Sequence, residues 1–154
     1  MAPLLGTTPY GSRLRALLAF RPSRIAWSVA VRVEQSRLVC VVEDDADVRA
    51  SAKLLLETTG YRVADFANAE AFLRATDGRD AACLVLDLQM GGMTGLELLE
   101  SLRSAGVQTP AIIVTASTGN LEARCARAGT LAVLRKPPAA SDMLGWIARA
   151  CGIH

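Results

Sequence analysis

The chain has 154 residues, 51% of them apolar and 21% charged, with a formal net charge of +2, which is room for one globular domain with a sizeable core. No apolar run approaches the roughly 18–20 residues that span a bilayer, and Arg21, Pro22 and Arg24 interrupt the N-terminal stretch that a secretory signal would need unbroken. Four cysteines without a C-x-x-C pair, and one histidine at the last position, exclude a Cys/His zinc site and point to a reduced, cytoplasmic setting.

Charge divides the chain near Arg37. Residues 1–37 hold six Arg against one Glu, and residues 38–154 hold eleven Lys and Arg against fourteen Asp and Glu. Residues 1–36 read as a basic N-terminal extension, disordered or loosely helical. Its interleaving of Arg13, Arg15, Arg21 and Arg24 with Leu14, Leu17, Phe20 and Trp27 gives a basic amphipathic arm for a membrane or nucleic acid as the sharper alternative.

From residue 38 strands and helices alternate. The run LVCVV predicts a strand over 38–42, and Val48, Ala52, Leu55 and Leu56 give a helix over 46–59 its inner stripe, with Gly60 as its C′ residue. Residues 61–65 form a less apolar strand that reads as a sheet edge. Asn68 caps a helix over 69–76 that buries Phe72 and Leu73. Residues 81–86 are apolar throughout, as a central strand covered on both faces should be. A loop with Gly91 and Gly92 leads to Thr94, the cap of a helix over 95–104 whose Leu96, Leu98, Leu99 and Leu102 face inward. A strand over 111–115, a short weak helix over 120–127 and a strand over 131–134 follow. Ser141 or Asp142 is the expected cap of a final helix over 142–151. Five strands in strict alternation with five helices imply one α/β domain over 37–154, a doubly wound parallel sheet with helices on both faces.

The chemistry sits at strand ends. Glu43, Asp44 and Asp45 follow the first strand, Asp87 the third, Thr115 ends the fourth and Lys136 follows the fifth. In an open α/β sheet these positions converge on the carboxyl edge, where such folds bind ligands. Asp45 and Asp47 fit helix capping and the helix dipole equally well. Glu43 and Asp44 lie at the strand terminus itself, where like charges repel unless a cation intervenes. Two acidic strand ends with one lysine suit a divalent cation such as Mg²⁺ together with a phosphoryl group.

With V-E-D-D after strand 1, D-L-Q-M…G after strand 3, V-T-A after strand 4 and A-G…K-P around strand 5, the chain resembles the receiver (CheY-like) domain of two-component response regulators, of the FixJ type, over about residues 37–152. The resemblance implies a flavodoxin-like sheet in the order 2-1-3-4-5. It implies that Asp87 accepts a phosphoryl group from a phosphohistidine, with Asp44 as direct Mg²⁺ ligand, Glu43 holding a metal-bound water and Gln89 offering its backbone carbonyl. Thr115 is then expected to bond a phosphoryl oxygen, and Lys136 to pair with Asp87 and afterwards with the phosphoryl group. A cis Lys136-Pro137 bond is expected.

The chain departs from that pattern in three places. Val133 stands where the family usually has an aromatic, Pro138 replaces a bulky residue after K-P, and Gly91-Gly92 replaces a proline and a polar residue. Sixteen residues follow Pro138. The expectation is therefore a single-domain regulator, not an enzyme, without a DNA-binding output domain or transmembrane segment. Its expected partners are a sensor histidine kinase or histidine phosphotransfer protein and an unidentified downstream protein, and a homodimer is compatible with it. The alternative is an interaction module of the same fold that works independently of phosphorylation.

Overall fold

The computed structural model describes residues 37–117 and 119–153; the extension expected over residues 1–36 lies outside the described residues. Strands β1 (Leu38–Val42), β2 (Arg62–Phe66), β3 (Cys83–Asp87), β4 (Ala111–Thr115) and β5 (Ala132–Arg135) form one parallel sheet in the order β2-β1-β3-β4-β5. Helices α1 (Ala46–Thr58), α2 (Ala69–Ala75), α3 (Gly95–Ser104), α4 (Glu122–Arg127) and α5 (Ala140–Ala150) fill the connections. The expected order of strands is the observed one, and β2 is indeed an edge.

Alternation along each strand builds a core on either face of the sheet. Cys40, Val42, Leu84, Leu86 and Ile113 pack with Phe72 of α2, the leucines of α3 and Cys125 of α4. Val39, Val41, Cys83, Val85, Ile112 and Val114 face the other way, onto Leu56 of α1 and Met143 and Ile147 of α5. All residues of β3 and β4 are buried, which is why their sequences carry no polar alternation until the strand ends.

Local chemistry sets most boundaries. Asn68 Oδ1 accepts from the Ala71 amide at 2.7 Å. Thr94 and Glu97 form a reciprocal capping box that starts α3. Three expectations need correction. Val48 is 43% exposed and Leu73 is 40% exposed, so neither belongs to a buried stripe: Val48 lies in the first turn of α1, ahead of that helix's buried Leu56, and the seven-residue α2 buries Phe72 but not its neighbour. The final helix begins at Ala140, before Ser141 and Asp142, and its N-cap Ala139 makes no side-chain bond. The extended backbone at Ala139, just after Pro137-Pro138, delivers the chain into the helix without a side-chain cap.

Candidate functional site

The sheet carries its charged groups to one edge, as the strand-end pattern requires. Register pairs Val42 with Leu86 across β1 and β3, and Asp87 with Val114 across β3 and β4. Glu43 and Asp87 therefore end neighbouring strands and are 5% and 4% exposed, whereas Asp44 and Gln89 are exposed. Carboxylate oxygens of Glu43, Asp44 and Asp87 all lie within 4.8 Å of one another. Oxygen donors this close, two of them buried, fit a hard divalent cation such as Mg²⁺.

Lys136 reaches the same point from the end of β5. Its Nζ donates to Glu43 Oε2 at 2.8 Å and lies 3.2 Å from Asp87 Oδ1. The pairing with Asp87 is present, but the shorter bond goes to Glu43, a partner that the sequence pattern did not suggest across 93 residues. The Lys136-Pro137 bond is cis, as expected. The Lys136 amide also donates to the Thr115 carbonyl at 2.8 Å, so the last residues of β4 and β5 are tied by backbone.

Burial, joined by the charge of Glu43 and opposed by Lys136, pushes the Asp87 carboxyl up to about 6. Burial alone would lower Lys136, but its bonds to Glu43 and Asp87 hold it above its ordinary value. The lysine is thus a firm cation at neutral pH, and Asp87 is a carboxylate kept close to its protonation threshold.

Thr115 is 6% exposed and its hydroxyl is engaged by Ser117. It accepts from the Ser117 amide at 3.0 Å and donates to the Ser117 carbonyl at 3.3 Å. The Gln89 backbone N–H donates to Asp87 Oδ1 at 3.3 Å, which steadies the carboxylate from the loop side.

Two supports were not apparent from the sequence. Arg49 of α1 donates to the Glu43 carbonyl at 2.8 Å and pairs with Asp65 of β2 at 3.3 Å, fixing the loop that carries the acidic pair. Gly95 opens α3 directly against the end of β3. A Cβ there would collide with the Asp87 carbonyl oxygen and sit 3.2 Å from Leu86 Cβ. A glycine at a first helical position, where it costs propensity, is the signal that could have flagged it.

A buried carboxylate beside an acidic pair and a lysine, on the carboxyl edge of a five-stranded 2-1-3-4-5 sheet, defines a receiver-type signalling module. Comparison with known proteins agrees: the family described as response regulator receiver domain matches residues 39–148, and the chain belongs to that family. It is 41% identical over 81 residues to the transcriptional regulatory protein FixJ of Azorhizobium caulinodans, covering 53% of this chain and 38% of the relative. It is 30% identical to the response regulator protein TmoT of Ectopseudomonas mendocina, covering 76% of this chain and 54% of that protein. The chain thus spans only about a third to a half of the length of these relatives. Among solved structures, the crystal structure of FixJ-N is 30% identical with a TM-score of 0.69, covering 76% of this chain and 94% of that one. The response regulator StyR is 33% identical with a TM-score of 0.70, covering 75% and 59%.

Proposed function

We propose that Asp87 is the acceptor of a phosphoryl group delivered by a histidine kinase or a histidine phosphotransfer protein. Its carboxylate oxygen attacks phosphorus, the phosphorus–nitrogen bond of the donor breaks, the imidazole keeps that electron pair, and an acyl phosphate remains on Asp87. The observation that carries this reading is the convergence of Glu43, Asp44, Asp87 and Lys136 within bonding distance of one point. A carboxylate is a weak nucleophile, and its approach to a phosphoryl group brings anions together. Fixed positive charge and positioning therefore supply most of the catalysis.

Lys136 provides one such charge. It would leave Glu43 for the phosphoryl oxygens while its backbone stays tied to Thr115. Asp44, Asp87 and the Gln89 carbonyl would hold Mg²⁺, with Glu43 acting through a water; the cation, when bound, neutralises charge on the phosphoryl oxygens. Thr115 would turn its hydroxyl from Ser117 to the phosphoryl group, which carries about −1.5 to −2 charge and three strong acceptors. Output then passes to a downstream protein, in a cytoplasmic, non-enzymatic signalling role, from a domain over 37–154 preceded by a basic extension.

Incubation with acetyl phosphate and Mg²⁺, followed by intact mass, tests this directly. One phosphoryl adduct is expected, lost in Asp87→Asn and without Mg²⁺; unchanged labelling of Asp87→Asn would refute the assignment. A second reading, partner binding independent of phosphorylation, is favoured by Val133, which is 44% exposed where an inward-turning reporter side chain would be needed. An adduct that leaves the NMR spectrum of β4 and β5 unchanged would select that reading.

A further inference from the structure

Beside Val133, between β4, β5 and α4, lies an open pocket of about 190 Å³ that shares only Thr115 with the proposed phosphoryl site. Its floor is apolar, made by Leu88, Ile113, Cys125 and Val133. One wall is Thr115, whose hydroxyl bonds both the amide and the carbonyl of Ser117, another lining residue. The opening exists because α4 has only six residues and no side-chain cap, so it buries its own Cys125 against the sheet but leaves Val133 exposed. Glu122 and Arg135, both exposed, stand at the margin, and they form no ion pair with each other among the described residues.

The volume sets the size of an occupant: an apolar cavity of about 150 Å³ accepts a benzene ring. The margin sets its charge. An ion of either sign would meet one like charge, Glu122 or Arg135, so a neutral molecule is preferred. The wall sets its polarity, because Ser117 offers a backbone donor and acceptor that one turn of the Thr115 side chain would free.

We propose that this cavity is a binding site for a small neutral ring compound of roughly six to nine heavy atoms carrying one hydroxyl or equivalent group, sized by analogy with benzene-binding cavities. The ring rests on Ile113, Cys125 and Val133, and the hydroxyl takes the Ser117 groups that Thr115 now holds. Occupancy therefore competes with the present Thr115 orientation and ties the ligand to a side chain of the phosphoryl site.

The test is a two-dimensional NMR titration of the full chain with phenol, in buffer free of Mg²⁺ and of any phosphoryl donor, so that its outcome is independent of the proposed phosphoryl transfer. Saturable shifts confined to Ile113, Thr115, Ser117, Cys125 and Val133 are expected, with a Kd on the order of 1 mM for so small a ligand. Val133→Phe fills the cavity from an exposed strand position and should weaken binding at least about tenfold; Val133→Met is the second filling variant should the first not fold. Toluene, which lacks the hydroxyl and leaves Thr115 on Ser117, should bind comparably but give a smaller Ser117 amide shift than phenol. Absence of saturable shifts up to about 10 mM, an affinity too weak to count as a site, would overturn the proposal. Shifts scattered over the surface, undiminished binding by the filled variants, or an equal Ser117 shift with toluene would do the same.

Discussion

At the scale of single residues, Asp87 is where folding and chemistry oppose each other. Its carboxyl titrates at about 6 in the folded protein, raised by burial and by Glu43. Between the ordinary carboxylate range and that value the unfolded chain has released the proton and the folded chain has kept it. Stability therefore falls as pH rises through this window, and the full penalty stands above it. Asp87→Asn cannot ionise. In metal-free buffer it should be more stable than the parent by about 1–3 kcal/mol near pH 7.5, with the difference vanishing near pH 3.5. Urea denaturation at the two pH values checks this; equal stability near neutrality would mean that Lys136 already compensates the buried charge. Asp87, Thr115 and Lys136 were legible as strand-end residues because backbone pattern alone places them. The bond from Lys136 to Glu43 was not legible, because two acceptors compete for one ammonium and only side-chain geometry decides between them.

At the scale of elements, the loop from β3 to α3 contrasts two glycines with opposite demands. Gly95 has the Asp87 carbonyl oxygen where a Cβ would stand, whereas Gly91 has nothing within 4 Å and no positive φ. Gly95→Ala should push α3 off the strand end, costing about 2 kcal/mol or more and slowing phosphoryl uptake at Asp87. Gly91→Ala should gain about 0.4–1 kcal/mol by restricting the unfolded chain. Thermal unfolding of both variants, with acetyl phosphate labelling, checks the pair; a harmless Gly95→Ala would show that the helix can slide. The helices were legible where their caps are side-chain chemistry, as at Asn68 and Thr94. The start of α5 was not, because backbone geometry after Pro137-Pro138, and not a capping side chain, begins it. Val48 and Leu73 misled because a helical stripe read from spacing does not say where along its length a helix meets the sheet.

At the scale of the whole molecule, one sheet serves two cores, so damage on either face is shared. Phe72 is fully buried in the layer of α2 and α3, while Trp146 packs in the opposite layer with α5. Phe72→Ala should cost about 3–5 kcal/mol. In a Trp27→Phe background, the urea midpoint read from Trp146 fluorescence should fall together with that read from far-UV circular dichroism. Separate midpoints would mean that the layers unfold independently. The same sheet also governs how quiet the resting protein is. Among the described residues, the Thr115 hydroxyl is held only by Ser117, and its carbonyl stays anchored to Lys136 whichever way the side chain points. Releasing it costs a rotation and two neutral hydrogen bonds, worth about 2 kcal/mol net. On that scale the turned orientation is occupied on the order of 3% of the time with no phosphoryl group present, so the resting share of that orientation is set by the preference of a single hydroxyl.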